Sequence, residues 1–221
     1  VLYFLVIFYG QMIATFITSE KSNRAIEVLV TTVDSNSLIY GKVLAGALSG
    51  IFQAGMILGG ALLAYRFTAE RWDHMLDFLF DIPPAVWGGF IVFGILGYLL
   101  YAFIFGMLGA LVSKTEDISK SATPVTMIFV ASFIITMSGM AESDSILMKV
   151  ASFVPFTSSN AMFARIALGS VSAVEIAVSA AILLVTVAVC AFLAAKIFRF
   201  GTLMYGNPIK FTHALKKIRE E

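Results

Sequence analysis

Five stretches of this 221-residue chain are apolar and close to the length needed to cross a bilayer, and they constrain every other reading. A hydrocarbon core of about 30 Å takes roughly 20 residues of helix. The stretches run from Val1 to Thr18, Leu38 to Tyr65, Ala85 to Val112, Ala122 to Met140 and Ala173 to Phe198. None shows the period-two alternation of a strand, and backbone in lipid must satisfy its own hydrogen bonds. The expected fold class is therefore all-α, a polytopic membrane helical bundle of about five spans forming a single transmembrane domain over residues 1–221. Charged residues make up 13% and mean hydropathy is +0.93, far from soluble domains, where about a quarter of residues are charged. A net charge of +1 gives no reason to expect nucleic acid as a partner. The single cysteine, Cys190, allows no intrachain disulfide.

The one long break in the first third is Ser19 to Lys42. Within it Ile26, Leu29, Val30 and Val33 fall at i, i+3, i+4 and i+7, with Glu20, Arg24, Glu27 and Thr31 opposite. That is an amphipathic helix with one apolar stripe. Glu20 and Arg24 stand four apart and Glu27 three further on, spacings that support a helix. Asp34, Ser35 and Ser37 supply caps for a new helix opening near Leu38. Such a connector either lies on the membrane surface or docks into a partner.

Orientation follows from Lys and Arg. With the connector cytoplasmic, 11 of the 15 basic residues lie inside and only Arg66, Arg71, Lys149 and Arg165 outside. The C-terminus is then cytoplasmic and the protein a multi-pass component of the cell membrane. The basic tail is expected along the inner leaflet. In the second span Gly46, Gly50 and Ala54 recur every fourth residue, and Gly55 and Gly59 repeat the spacing, as close helix packing requires. The third holds Gly94, Gly97, Gly106 and Gly109. A glycine hinge is the sharper reading of the same residues.

Between the second and third spans, Asp73, Asp77 and Asp81 have helical spacing, with His74 beside them. They fit either a cation cluster or the wet face of an interfacial helix resting on Trp72, Met75, Leu76 and Leu79. Pro124 is expected in the first turn of the fourth span. After Met140 come two short helices, Ile146 to Val154 and Ala161 to Leu168, separated by Pro155 and the caps Thr157 to Asn160. Neither crosses a bilayer, so the pair reads as a re-entrant or an interfacial hairpin.

The sequence contains no HExxH, GxSxG or P-loop pattern, and no metal site is assigned. Gln11, Thr15, Gln53, Thr126, Ser132, Thr136 and Thr186 are the main polar residues within the spans, and no Asp, Glu, Lys, Arg or His falls well inside any of them. Ion-coupled carriers place a charge near the midplane; a machine energised from outside the membrane has no such need. An ATP-independent carrier and a non-transporting membrane anchor remain the competing classes. Gln11, Thr15 and Gln53 are the candidate translocation path.

Several segments resemble the membrane subunits of type-2 ABC exporters, most closely the sodium-export permeases of the NatB group. They are Glu20-Lys-Ser-Asn-Arg-Ala-Ile-Glu27 followed by Gly41-Lys42, the loop Ser121 to Pro124, Val154-Pro155-Phe156 leading to Met162 to Gly169, and the ending Phe198 to Gly206. The resemblance implies that Glu20, Arg24, Ile26, Glu27, Leu29, Val30 and Val33 belong to a coupling helix docking on a separate P-loop ATPase subunit. It implies a re-entrant hairpin carrying Pro155, Phe156, Asn160 and Arg165. It further implies a second permease copy or homologue, and ATP and Mg²⁺ held by the ATPase partner, with no cofactor on this chain. An upstream span and extracytoplasmic domain are expected, making this the C-terminal portion of a permease. Substrate would be sodium, or otherwise a drug, a peptide or a lipid-like molecule.

Overall fold

The computed structural model describes residues 1–77, 80–169 and 171–201. Among them no strand occurs, and five helices are long and apolar enough to cross a membrane. They are α1 (Leu2–Ser22), α3 (Ser35–Thr68), α4 (Pro84–Leu111), α5 (Ile118–Gly139) and α8 (Ala173–Gly201). Between α1 and α3 lies the connector α2 (Ala25–Thr32). The hairpin α6 (Ile146–Phe153) and α7 (Pro155–Ala167) precedes α8. The basic tail expected along the inner leaflet falls outside the described residues.

Local chemistry accounts for most boundaries. Asp34 caps α3 by accepting from Asn36 N at 3.1 Å and Ser37 N at 3.3 Å, so the helix starts a turn before Leu38. Pro84 and Pro155 occupy first-turn positions, where a missing N–H costs nothing. Pro155 therefore opens α7 directly, and Thr157 to Asn160, expected as caps, lie inside it. Pro124 also differs from expectation. A 3₁₀ turn at Thr115–Asp117 starts α5 at Ile118, which leaves Pro124 within the helix. The Lys120 carbonyl it deprives of a partner is on an exposed residue, where water can satisfy it.

The amphipathic connector is shorter than its pattern. Arg24 adopts a left-handed conformation (φ 56°) that separates α1 from α2, and Val33 is extended beyond the helix. Glu20 consequently belongs to α1 and pairs with Lys42 at the base of α3. The Asp73/Asp77/Asp81 periodicity is likewise not realised as a helix. A 3₁₀ turn at Ala69–Trp72 gives way to left-handed Asp73 and His74 (φ 48° and 58°).

α4 is the central post, packed on α1, α7 and α8. Its glycines admit neighbours at contact range. A Cβ on Gly109 would lie 2.6 Å from Ala14 O, and one on Gly201 would lie 2.6 Å from Ala110 O. Gly46 and Gly50 take the side chains of Ile13 and of Tyr9 and Tyr98, whereas Gly55, Gly59 and Gly94 face open space. The first glycine row of α3 thus serves packing within the bundle, and the second does not.

Candidate functional site

Two assemblies stand at opposite ends of the bundle. At the connector end, α1 and α4 cross where Ala14 meets Gly109. Thr18 Oγ1 donates to Gly109 O at 2.9 Å, and Lys21 Nζ donates to Ala110 O at 2.8 Å. Thr18 and Lys21 are both fully buried. These carbonyls belong to the last turn of α4, where helical partners are missing and the backbone dipole is negative. A buried ammonium there answers both needs. Lys21 reads from sequence as one of the exposed inner-loop cations, whereas the structure makes it the clamp between two spans.

From this clamp the chain turns at Arg24 into α2. Its stripe is divided between two surroundings. Ile26 is 1% exposed and belongs to the main core with Ile17, Ile39 and Leu111, and Val30 packs against that core. Leu29 is half-buried, while Glu27, Val28, Thr31 and Val33 are exposed. The apolar face expected to meet a partner therefore anchors α2 to its own bundle, and the opposite face points away.

Of the candidate path residues, Gln11 and Thr15 lie one turn apart on α1, and Gln53 is exposed on α3. Gln53 accepts a hydrogen bond from Tyr9 Oη, and both line a groove of about 490 Å³ between the two helices. Thr15 is exposed and returns its hydroxyl to Gln11 O at 2.8 Å; Gln11 is half-buried.

At the far end, α7 runs antiparallel to α4 with Ile166 beside Gly89 and Ser159 beside Gly97. Its start lies deeper still, since Tyr101 Oη donates to Phe156 O at 2.8 Å. The hairpin tip therefore reaches past the midpoint of α4. Non-helical backbone at such depth persists only when protein or water satisfies it. Here Thr157 Oγ1 donates to Ala151 O at 2.5 Å, and Ser179 Oγ of α8 donates to Ser152 O at 2.6 Å. Asn160 Nδ2 reaches Ser132 Oγ of α5 at 3.1 Å. Pro155 and Phe156 thus form the tip, while Asn160 ties α7 to α5.

Arg165 closes the last turn of α7. It is 1% exposed, donates to Ser152 Oγ at 2.9 Å, and pairs with Glu175 at 3.4 Å and Asp144 at 3.9 Å. Its charge suits a helix C-terminus, as that of Glu175 suits the first turn of α8. Sequence reasoning missed Thr18, Tyr101, Ser152 and Ser179. Their partners lie at distant positions, so nothing local marks them.

In the loop after α3, Asp77 accepts from Tyr65 Oη at 2.7 Å and lies 2.7 Å from His74 Nδ1. The Tyr65 hydrogen bond, and then that of His74, hold the Asp77 carboxyl below its ordinary range. Among the described residues, no group of three or more His, Cys, Asp or Glu side chains is placed to hold a metal ion.

Residues 1–196 match the family described as "ABC-2 family transporter protein". The chain is 34% identical to the uncharacterized protein YhaP of Bacillus subtilis (strain 168), over 99% of this chain and 53% of that protein. It is 26% identical to the uncharacterized protein MJ1024 of Methanocaldococcus jannaschii, over 98% of this chain and 51% of that protein. The chain thus spans about half the length of these curated relatives. No solved structure matches it. A family match across most of the chain, joined to five helices able to span a bilayer, makes this chain a multi-pass member of the ABC-2 family of membrane transport proteins.

Proposed function

We propose that this chain is the membrane-spanning permease portion of an ATP-driven exporter, moving its substrate outward by alternating access while a separate P-loop ATPase subunit binds ATP and Mg²⁺. The supporting observation is the mounting of α2. Ile26 fixes its inner side in the core, the Lys21 clamp joins its entry to α4, and the Asp34 cap joins its exit to α3. A push on the exposed side formed by Glu27, Val28 and Thr31 would then tilt α1 and α3 as rigid bodies, the kind of motion by which packed domains switch. Glu20 would stiffen that unit through Lys42.

A second copy or a homologue would cover the outer side bearing Gln11, Thr15 and Gln53, leaving the path between the two. On this reading an upstream span and an extracytoplasmic domain would complete the permease. On this reading the C-terminus is cytoplasmic, the hairpin is re-entrant, and sodium is the first substrate to test.

The test is co-purification of the full-length protein with its ATPase, comparing wild type with Val28→Asp and Thr31→Glu, which alter only the exposed side of α2. Loss of a bound, active ATPase with an unchanged elution profile supports docking. ATPase retained in both variants sinks it. Efflux from vesicles loaded with sodium then tests the substrate, and gradient-driven flux without ATP would instead favour a carrier.

A further inference from the structure

We propose that the crevice at the far end of α3 binds the zwitterionic headgroup of a phospholipid, taking its phosphate at Arg66 and its ammonium at Asp81 and the face of Phe80. The crevice has a volume of about 330 Å³ and lies between the last turns of α3 and the loop that follows. Tyr65, Arg66, His74, Asp77, Phe80 and Asp81 line it.

Three observations select this ligand, and the first is which charges are already engaged. Asp77 accepts from Tyr65 Oη at Oδ1, and its Oδ2 lies 2.7 Å from His74 Nδ1. Arg66 and Asp81 are exposed, and among the described residues neither side chain makes a hydrogen bond or an ion pair. One crevice therefore holds a guanidinium and a carboxylate that do not neutralise each other. A simple anion drawn to Arg66 would be repelled by Asp81, and a simple cation by Arg66, so the pair favours a ligand carrying both signs. Second, Tyr65 is buried and stacks at 6.2 Å on Phe80, which is 49% exposed. That fixed ring offers its face to an ammonium group. Third, Phe67 on the last turn of α3 is 87% exposed, and Trp72 in the loop is exposed as well. Aromatic side chains bared at the end of a span belong at headgroup level, which makes the bilayer the source of the zwitterion.

This inference does not rest on ATP coupling, because equilibrium binding tests it without nucleotide. The full-length protein in detergent would be titrated with short-chain phosphatidylethanolamine and with phosphatidylglycerol of the same chain length, and bound lipid counted by native mass spectrometry. Phosphatidylglycerol keeps the phosphate and has no ammonium for Asp81. Phosphatidylethanolamine should therefore bind at about tenfold lower concentration, as one charge-assisted contact predicts. Soluble glycerophosphoethanolamine should displace it, and at lower concentration than the free amino acid alanine.

Asp81→Asn should abolish the preference for phosphatidylethanolamine, and Arg66→Gln should weaken binding of both lipids about tenfold. Both side chains are exposed and make no contact that the fold depends on, so these variants should fold as wild type does. Glu70→Gln and Arg71→Gln remove the same charges from the same loop but outside the crevice, and should leave binding unchanged. Equal binding of the two lipids by wild type, or losses in the Glu70 and Arg71 variants that match those at Asp81 and Arg66, overturns the proposal in favour of diffuse surface charge. Displacement by alanine at lower concentration than by glycerophosphoethanolamine overturns the lipid headgroup as the occupant.

Discussion

Among the described residues, each end of the bundle buries one cation, and the two are satisfied by different means. Lys21 at the connector end meets the terminal carbonyl of a helix, at 2.8 Å, and its backbone dipole. Arg165 at the hairpin end meets a hydroxyl and two carboxylates, one of them on Asp144, whose side chain is 69% exposed. A dipole built into a helix does not titrate and is poorly screened when buried. Carboxylates at a wet rim respond to both salt and pH. The contrast implies a connector end joined as one mechanical unit and a hairpin end held by an adjustable pairing.

The largest expected effect is at the hairpin. Arg165→Met leaves Glu175 without its buried partner and removes the donor to Ser152, at a cost of about 3 kcal/mol. A fall of the thermal midpoint in detergent, and proteolysis near the tip, would register it. A midpoint like wild type would mean the hairpin is held without these ion pairs, by the hydrogen bonds of Tyr101, Ser179 and Asn160.

Gly109→Ala is next. The new Cβ would meet Ala14 backbone at 2.6 Å and 2.9 Å, which no rotamer change relieves. Forcing the helices apart costs about 1–3 kcal/mol and should weaken the Thr18 and Lys21 bonds together. Additive losses in Gly109→Ala combined with Lys21→Met would disprove that link, since coupled residues give non-additive effects.

Lys21→Met alone should cost about 1–2 kcal/mol, the scale of one charge-assisted bond at a helix terminus. The sharper measurement is salt dependence. Raising ionic strength should lower the midpoint of Lys21→Met as much as that of wild type, whereas Arg165→Met should lose much of that sensitivity. The reverse pattern would exchange the roles given to the two cations.

The smallest effect concerns the far-end loop. Because Tyr65 and His74 hold the folded Asp77 carboxyl below its ordinary value, its contribution is present above the unfolded value near 4 and is lost as pH falls through the lower folded value. The Leu76 amide donates to Tyr65 Oη at 3.0 Å. Its protection against hydrogen exchange, corrected for intrinsic rate, should hold at about pH 5 and decline below about pH 4. Loss well above pH 5 would mean that Asp77 does not fasten this loop.

Features depending on near neighbours in the chain were legible. The five spans and the Asp34 cap need only hydropathy, or a carboxylate near free N–H groups; Pro155, by contrast, reads as a break between two helices, and in the fold it opens α7. The hairpin was legible as two helices too short to cross. Its depth was not, since that depends on Tyr101 and Ser179 reaching the tip from other spans. The connector stripe was visible, but periodicity cannot say whether an apolar face turns toward its own core or away from it.

The sequence by itself determined that this chain is a helical membrane domain and roughly where each span lies, because lipid admits few ways to satisfy a backbone and twenty apolar residues announce one of them. Only tertiary structure decided which charges are buried. Lys21 looks like an inner-loop cation, and Arg165 like one charge on a short helix, until Ala110 O, 2.8 Å from one, and Ser152 Oγ, 2.9 Å from the other, are brought to them from elsewhere in the fold.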